Sequence, residues 1–123
     1  MKQSGFSLVE LMVVVAILGI ISAIAYPSYL KHVQSGHRLD AQRIMLEQSH
    51  LLERNYSRNG EYPATYSISS SRTYDFSYQR DEAKTDAYVM TATPKATGTS
   101  CGKLTLNQQG LKSAEGGATC WAD

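Results

Sequence analysis

The sequence predicts an α+β chain. One long N-terminal helix, hydrophobic in its first half and amphipathic in its second, packs on a small antiparallel sheet of three to four strands, with a C-terminal disulfide-bounded region. Three observations predict this. From Phe6 to Tyr26 the chain is apolar except for Ser7, Glu10, Gly19 and Ser22, and about 20 apolar residues in a helix suffice to cross a bilayer. Beyond Pro27 apolar residues recur every three or four positions up to Leu52, the period of a helix with one buried face. After Thr73, short segments alternate apolar and polar side chains between turn residues, as half-buried strands do.

The first stretch decides the reading. A signal peptide carries a shorter apolar run ended by a small-residue cleavage site; this run is too long, and Ser22-Ala23-Ile24-Ala25 is its nearest approach to such a site. A plain anchor explains the length but not Glu10, because a carboxylate at mid-membrane costs about 2.5–3.5 kcal/mol. Gly5-Phe6-Ser7-Leu8-Val9-Glu10 resembles the prepilin-peptidase site of type IV pilins. That resemblance implies cleavage between Gly5 and Phe6, N-methylation of Phe6, and a role for Glu10 in subunit assembly. The carboxylate would then meet the N-terminal amine of a neighbouring subunit, which makes its burial in hydrocarbon tolerable. The expected division is a cleaved leader at 1–5, a transmembrane and filament-core helix at 6–34, and a globular head at 35–123.

The rest of the helix follows from pattern. Leu30, Val33, His37, Ala41, Ile44, Gln48 and Leu51 form a stripe that Met45 and Leu52 widen, running to about Asn55. Asp40 with Arg43 and Glu47 with His50 stand at i,i+3, where side chains meet. Pro27 removes a helical hydrogen bond and Gly19 weakens the helix. The resemblance implies a helix kink or local unwinding between this pair. His32, His37 and His50 are spaced wrongly to stack two imidazoles, so no metal site is expected of them.

The segment 55–66 reads as loop, with a turn at Asn59-Gly60 and a stop at Pro63. Its Tyr56, Tyr62 and Tyr66 are expected to pack on the sheet rather than form an adhesive patch. Strands are expected at 74–78, 87–93 and 103–107, with hairpin-type links. Asp81, Glu82 and Asp86 lie in the charged turn 80–86. They lack the alternating oxygen ligands of a calcium loop, so a solvated turn is expected there. The tail 111–123 shows no clear strand.

Small exported domains need a staple. Two cysteines, Cys101 and Cys120, could be free thiols or half of a metal set, but no His or further Cys lies between them, and a bridge is the better reading. The stretches 101–107, 120–121 and 87–94 resemble the disulfide-bounded region of type IVa minor pilins.

Nothing in the chain reads as a catalytic centre. It has no phosphate loop, no His-Glu-x-x-His pair and no nucleophile elbow, and neither cofactor nor metal is expected. Lys and Arg total 12 against 11 Asp and Glu, and loss of Lys2 with the leader leaves eleven of each. That balance argues against a general nucleic-acid binder. The expected function is therefore a structural subunit of type IV pili, most like a minor pilin, supporting assembly, adhesion, motility or competence. Its partners would be other pilin subunits, the prepilin peptidase and the inner-membrane assembly machinery. Its path would run from the inner membrane to the extracellular pilus of a Gram-negative bacterium. Two alternatives stand beside it: a pilus-borne DNA receptor contacting DNA through Arg72, Arg80, Lys84, Lys95, Lys103 and Lys112, and a pseudopilin of type II secretion. For those cations a solvated mixed-charge surface is the expected reading, given Asp75, Asp81, Glu82, Asp86 and Glu115 among them.

Overall fold

The computed structural model describes residues 3–121. Met1 and Lys2 of the expected leader and the last two residues of the head lie outside them. The chain divides into two compact units, Met1–Ser35 and Gly36–Asp123.

Helix α1 spans Leu8–Asn59. Ser7 starts it with reciprocal hydrogen bonds: the Glu10 N–H donates to Ser7 Oγ at 3.2 Å, and the Ser7 N–H donates to Glu10 Oε2 at 3.1 Å. This is a capping box, which satisfies two of the donors a helix leaves open at its start. The helix is continuous through Gly19 and Pro27. In the first unit every described residue up to His32 is exposed.

The helix runs four residues past the expected end at Asn55, and residues 55–59 are not loop. Ser57 Oγ donates to the Glu53 carbonyl, Asn59 bonds Asn55 one turn back, and the Tyr56 ring stacks on Tyr62 at 4.7 Å. Gly60 stops the helix at φ +75°, giving its N–H to the Tyr56 carbonyl at 2.8 Å. A left-handed glycine is the common C-terminal cap. The Asn59-Gly60 signal marked a helix stop.

The head's sheet has four antiparallel strands in the order β1-β2-β3-β4. These are β1 Tyr74–Arg80, β2 Tyr88–Pro94, β3 Leu104–Asn107 and β4 Lys112–Ala114. β1 is two residues longer than expected: Gln79 and Arg80 pair with Val89 and Tyr88, and Arg80 Nη1 donates to the Tyr62 carbonyl at 2.9 Å. The tail is not strandless. Asn107 Oδ1 accepts the N–H groups of Gln109 and Leu111, closing a turn onto β4. Trp121 Nε1 donates to the Ser113 carbonyl at 2.7 Å. β4 is thus held by residues outside its own short and unpatterned sequence.

One face of the sheet meets α1. Tyr74, Tyr88, Met90, Ala92, Leu104 and Leu106 bury against Ala41, Met45 and Leu52 of the helix. The expected stripe was placed too far round the helix. His37 and Leu51 are exposed and Ile44 is half-buried, while Met45 and Leu52 are the innermost helical side chains. Leu39, Leu46 and Leu51 also face solvent, so the helix is apolar on more than one side and periodicity alone could not choose between them. Asp40 and Arg43 form the expected pair at 3.0 Å. Opposite the core, Ser77, Thr91, Thr105 and Ser113 stand in one cross-strand row.

Cys101 and Cys120 form a disulfide. The chain is tight around it: the Gly116 N–H donates to the Cys101 carbonyl at 3.0 Å. Gln42, buried on α1, donates Nε2 to the Cys120 carbonyl at 2.7 Å. A helical amide therefore ties the bridge to the core.

Candidate functional site

Two regions carry the functional expectations, the apolar start of α1 and the cations of the head. The helix has an 18-residue window of mean hydropathy 2.7, none of it buried within the chain. It is long and apolar enough to cross a membrane. Phe6, Leu8, Val9, Met12, Ile20 and Ile24 are each more than 60% exposed, and so large an apolar patch marks a surface for lipid or for other proteins. Gly5 has no atom within 4 Å of the place a Cβ would take, and Gly19 is equally open. Neither glycine is required by packing inside this chain.

Glu10 is engaged locally through the capping box, but a carboxylate accepts about four hydrogen bonds. One oxygen takes the Ser7 N–H, and the remaining capacity faces outward on an exposed residue. Sequence reasoning read Glu10 for assembly and missed its cap. The Ser-x-x-Glu spacing ahead of an apolar run was the available signal.

The sheet separates the six basic candidates into two groups. Arg72, Lys95 and Lys103 lie at the end where β1 begins and β2 finishes; the Lys95 N–H donates to the Thr73 carbonyl, and Ala92 pairs with Leu104 next to Lys103. Arg80 and Lys84 lie at the other end, roughly 20 Å away along a seven-residue strand, and Lys112, paired with Leu106, lies toward that end about three residues along from Lys103. The neutral hydroxyl row of Ser77, Thr91, Thr105 and Ser113 runs between them. Several candidates have other partners. Arg80 bonds the Tyr62 carbonyl, Lys95 stands 3.8 Å from Asp75, and Lys112 sits over the Trp121 ring. Arg72, Lys84 and Lys103 have no side-chain partner among the described residues.

Tyr56, at the end of α1, and the loop residues Tyr62 and Tyr66 pack, as expected. Tyr62 is buried and its hydroxyl donates to Glu53 Oε1 at 2.8 Å, Tyr66 bonds Gln48, and Tyr56, Tyr62, Tyr88, Tyr78 and Tyr66 form a continuous series of ring contacts. Burial pushes the Tyr88 phenol up to about 12, with the Glu53 carboxylate and Tyr78 adding to it. Burial raises Tyr62 as well, reinforced by its hydrogen bond to Glu53.

A family model described as a prokaryotic N-terminal methylation motif matches residues 1–26. A second, described as type IV minor pilin ComP, DNA uptake sequence receptor, matches residues 27–105. The chain belongs to the type IV pilin family. This pilin is 35% identical to the fimbrial protein EcpC of Eikenella corrodens over 81% of its own length and 68% of that protein's. It is 32% identical to the type IV major pilin PilE of Neisseria gonorrhoeae over 74% of its length, but spans only 56% of that relative. Among solved structures it resembles a type IV pilin from Shewanella oneidensis, with a TM-score of 0.66, 34% identity and coverage of 73% of this chain and 99% of that one. The Neisseria meningitidis minor pilin PilV, at 19% identity and a TM-score of 0.60 over 72% of this chain and 91% of that one, shares the fold.

Proposed function

We propose that this pilin is a minor structural subunit of type IV pili, anchored in the inner membrane of a Gram-negative cell before assembly and carried into the extracellular filament. The observation that carries the reading is the fully exposed apolar start of α1, joined to Gly5-Phe6 and to an outward Glu10. Prepilin peptidase cuts after Gly5, Phe6 is methylated, and residues 6–34 sit in lipid and then in the filament core. Other pilin subunits and the inner-membrane assembly machinery are the partners, and the Gly19–Pro27 stretch bends or unwinds as the core packs. Glu10 uses its remaining acceptor capacity on the Phe6 amine of a neighbour, a charge pair removed from water. The work is structural, with adhesion and motility following from the filament. The named relatives are pilins and fimbrial proteins, which supports this over a secretion pseudopilin.

The test is Glu10→Ala expressed beside the wild-type subunit. The variant should be found in membranes in normal amounts and be depleted from sheared filaments. Equal incorporation of the two chains would refute the role of Glu10.

A second reading, a pilus-borne DNA receptor for natural transformation, is favoured by one observation: residues 27–105 match the family described as DNA uptake sequence receptor. If it holds, Arg72, Lys95 and Lys103 form the more compact basic group for a phosphate track. Binding should then weaken steeply with salt, log K falling by about 0.9 per log salt for each phosphate neutralised. Lys95→Glu with Lys103→Glu should abolish it. Absence of binding at low salt leaves the filament role alone.

A further inference from the structure

The end of the sheet that carries the β1–β2 turn holds a cleft of about 430 Å³, within the range of small-molecule sites. The register Gln79↔Val89↔Asn107 places three of its lining residues in one row on the face away from the helix. Gln108 and Glu82 line it too.

The hydrogen bonds define what the cleft offers. Asn107 Oδ1 accepts from the N–H groups of Gln109 at 3.0 Å and Leu111 at 2.9 Å. Gln108 Oε1 accepts from the Tyr88 N–H at 3.2 Å. Both amides are thereby oriented, and neither NH₂ group has a partner among the described residues. The Gln79 amide and the Glu82 carboxylate have no partner among the described residues, and both residues are exposed. Of the cleft's charged neighbours, Arg80 gives one donor to the Tyr62 carbonyl, and Asp81 Oδ1 accepts from the Ala83 N–H. Val89, 46% exposed, is the apolar element.

That inventory discriminates among ligands. An anion would meet two carboxylates, Asp81 and Glu82, against the single guanidinium of Arg80. A hard cation needs six or more clustered oxygens, and here the fixed amide oxygens face backbone donors. An apolar molecule would strand the amide hydrogens away from water. A neutral pyranose matches: its hydroxyls donate to Glu82 and to the Gln79 oxygen, accept from the amide NH₂ groups, and its C–H face lies on Val89. We propose that this cleft binds a neutral pyranose ring. The site goes beyond the filament role and depends on the head alone.

The test is saturation-transfer NMR on the full-length chain in a detergent without sugar headgroups. The probes are methyl β-galactoside, methyl N-acetyl-β-glucosaminide and, as the anionic comparison, a methyl sialoside. At least one neutral glycoside should receive saturation on its ring protons, and Gln79→Ala with Glu82→Ala should weaken its binding about tenfold or more, as loss of a charge-assisted hydrogen bond does. Neither side chain has a hydrogen-bond or ion-pair partner among the described residues and both residues are exposed, so the variant should keep the head folded. No transfer to either neutral glycoside, transfer that survives the double substitution, or stronger binding of the sialoside would each overturn the proposal. None of these outcomes bears on filament assembly.

Discussion

Replacing Cys101 and Cys120 with alanine asks how much of the head's stability rests on the ring they close. The sequence separation is 19, for which the loop-entropy relation gives about 3 kcal/mol at 25 °C. Two further interactions depend on the same segment, the Gln42 bond to the Cys120 carbonyl and the Trp121 bond to the Ser113 carbonyl. Each is worth about 1 kcal/mol if the tail detaches, so the total lies at about 3–5 kcal/mol. In a domain of this size 1 kcal/mol moves the melting temperature by about 4–8 °C, which puts the ring's share alone at about 12–24 °C. Thermal unfolding of the full-length chain in detergent should be followed by two probes. Trp121 is the single tryptophan and reports on the tail; the near-ultraviolet circular dichroism of the buried tyrosines reports on the core. Both signals should shift together by that amount. A shift below about 4 °C would refute the ring's importance, and early loss of the Trp121 signal with an unchanged tyrosine transition would refute the claim that tail and core unfold as one.

Three other expectations follow from particular residues. A Cβ on Gly116 would stand 2.3 Å from the Ser100 carbonyl oxygen and 2.7 Å from the Cys101 Cα, so Gly116→Ala should cost about 1–3 kcal/mol or more in a denaturant titration. Gly36→Ala, in open helix, should gain up to about 1 kcal/mol; equal effects at the two sites would contradict the packing. Burial pushes the folded Tyr88 phenol up to about 12 from an ordinary 10.0, so its protonated form favours the folded state. That contribution, about 2–3 kcal/mol, is complete below about pH 10 and lost as pH rises through about 12. The melting temperature should therefore fall between about pH 10 and 12, and constancy across that interval would refute the burial account. Because Gly5 has open space around it, Gly5→Leu should fold normally yet remain uncut in the cell; mass spectrometry finding a normal mature N-terminus would refute the processing role.

The elements with strong local patterns were legible and those held by distant contacts were not. The apolar run and three of the four strands follow from composition and alternation, which act over a few neighbouring residues, and the Gly5–Glu10 motif was read from its resemblance to a pilin processing site. β4 has three residues and no apolar alternation; it exists because Asn107 closes the turn and Trp121 clamps the Ser113 carbonyl. Gln42 looked like one polar residue among many on the helix, and its bond to the Cys120 carbonyl comes from a tail 78 residues away. The buried face of α1 was misplaced because leucines stand on more than one side of it. At the sites, Glu10 stood out because a lone carboxylate in hydrocarbon needs a reason, and its assembly role came from the resemblance. The six basic residues could be sorted into two ends only once strand register was known, and the amide cleft joins side chains from β1, β2 and β3 that no local pattern connects.

The filament account is tested most directly by mass spectrometry of sheared, washed filaments from cells expressing this chain at its native level. It predicts a peptide that begins at N-methylated Phe6 in the filament fraction, in amounts below the principal subunit. Recovery of this chain only from membranes, with residues 1–5 still attached, would contradict it.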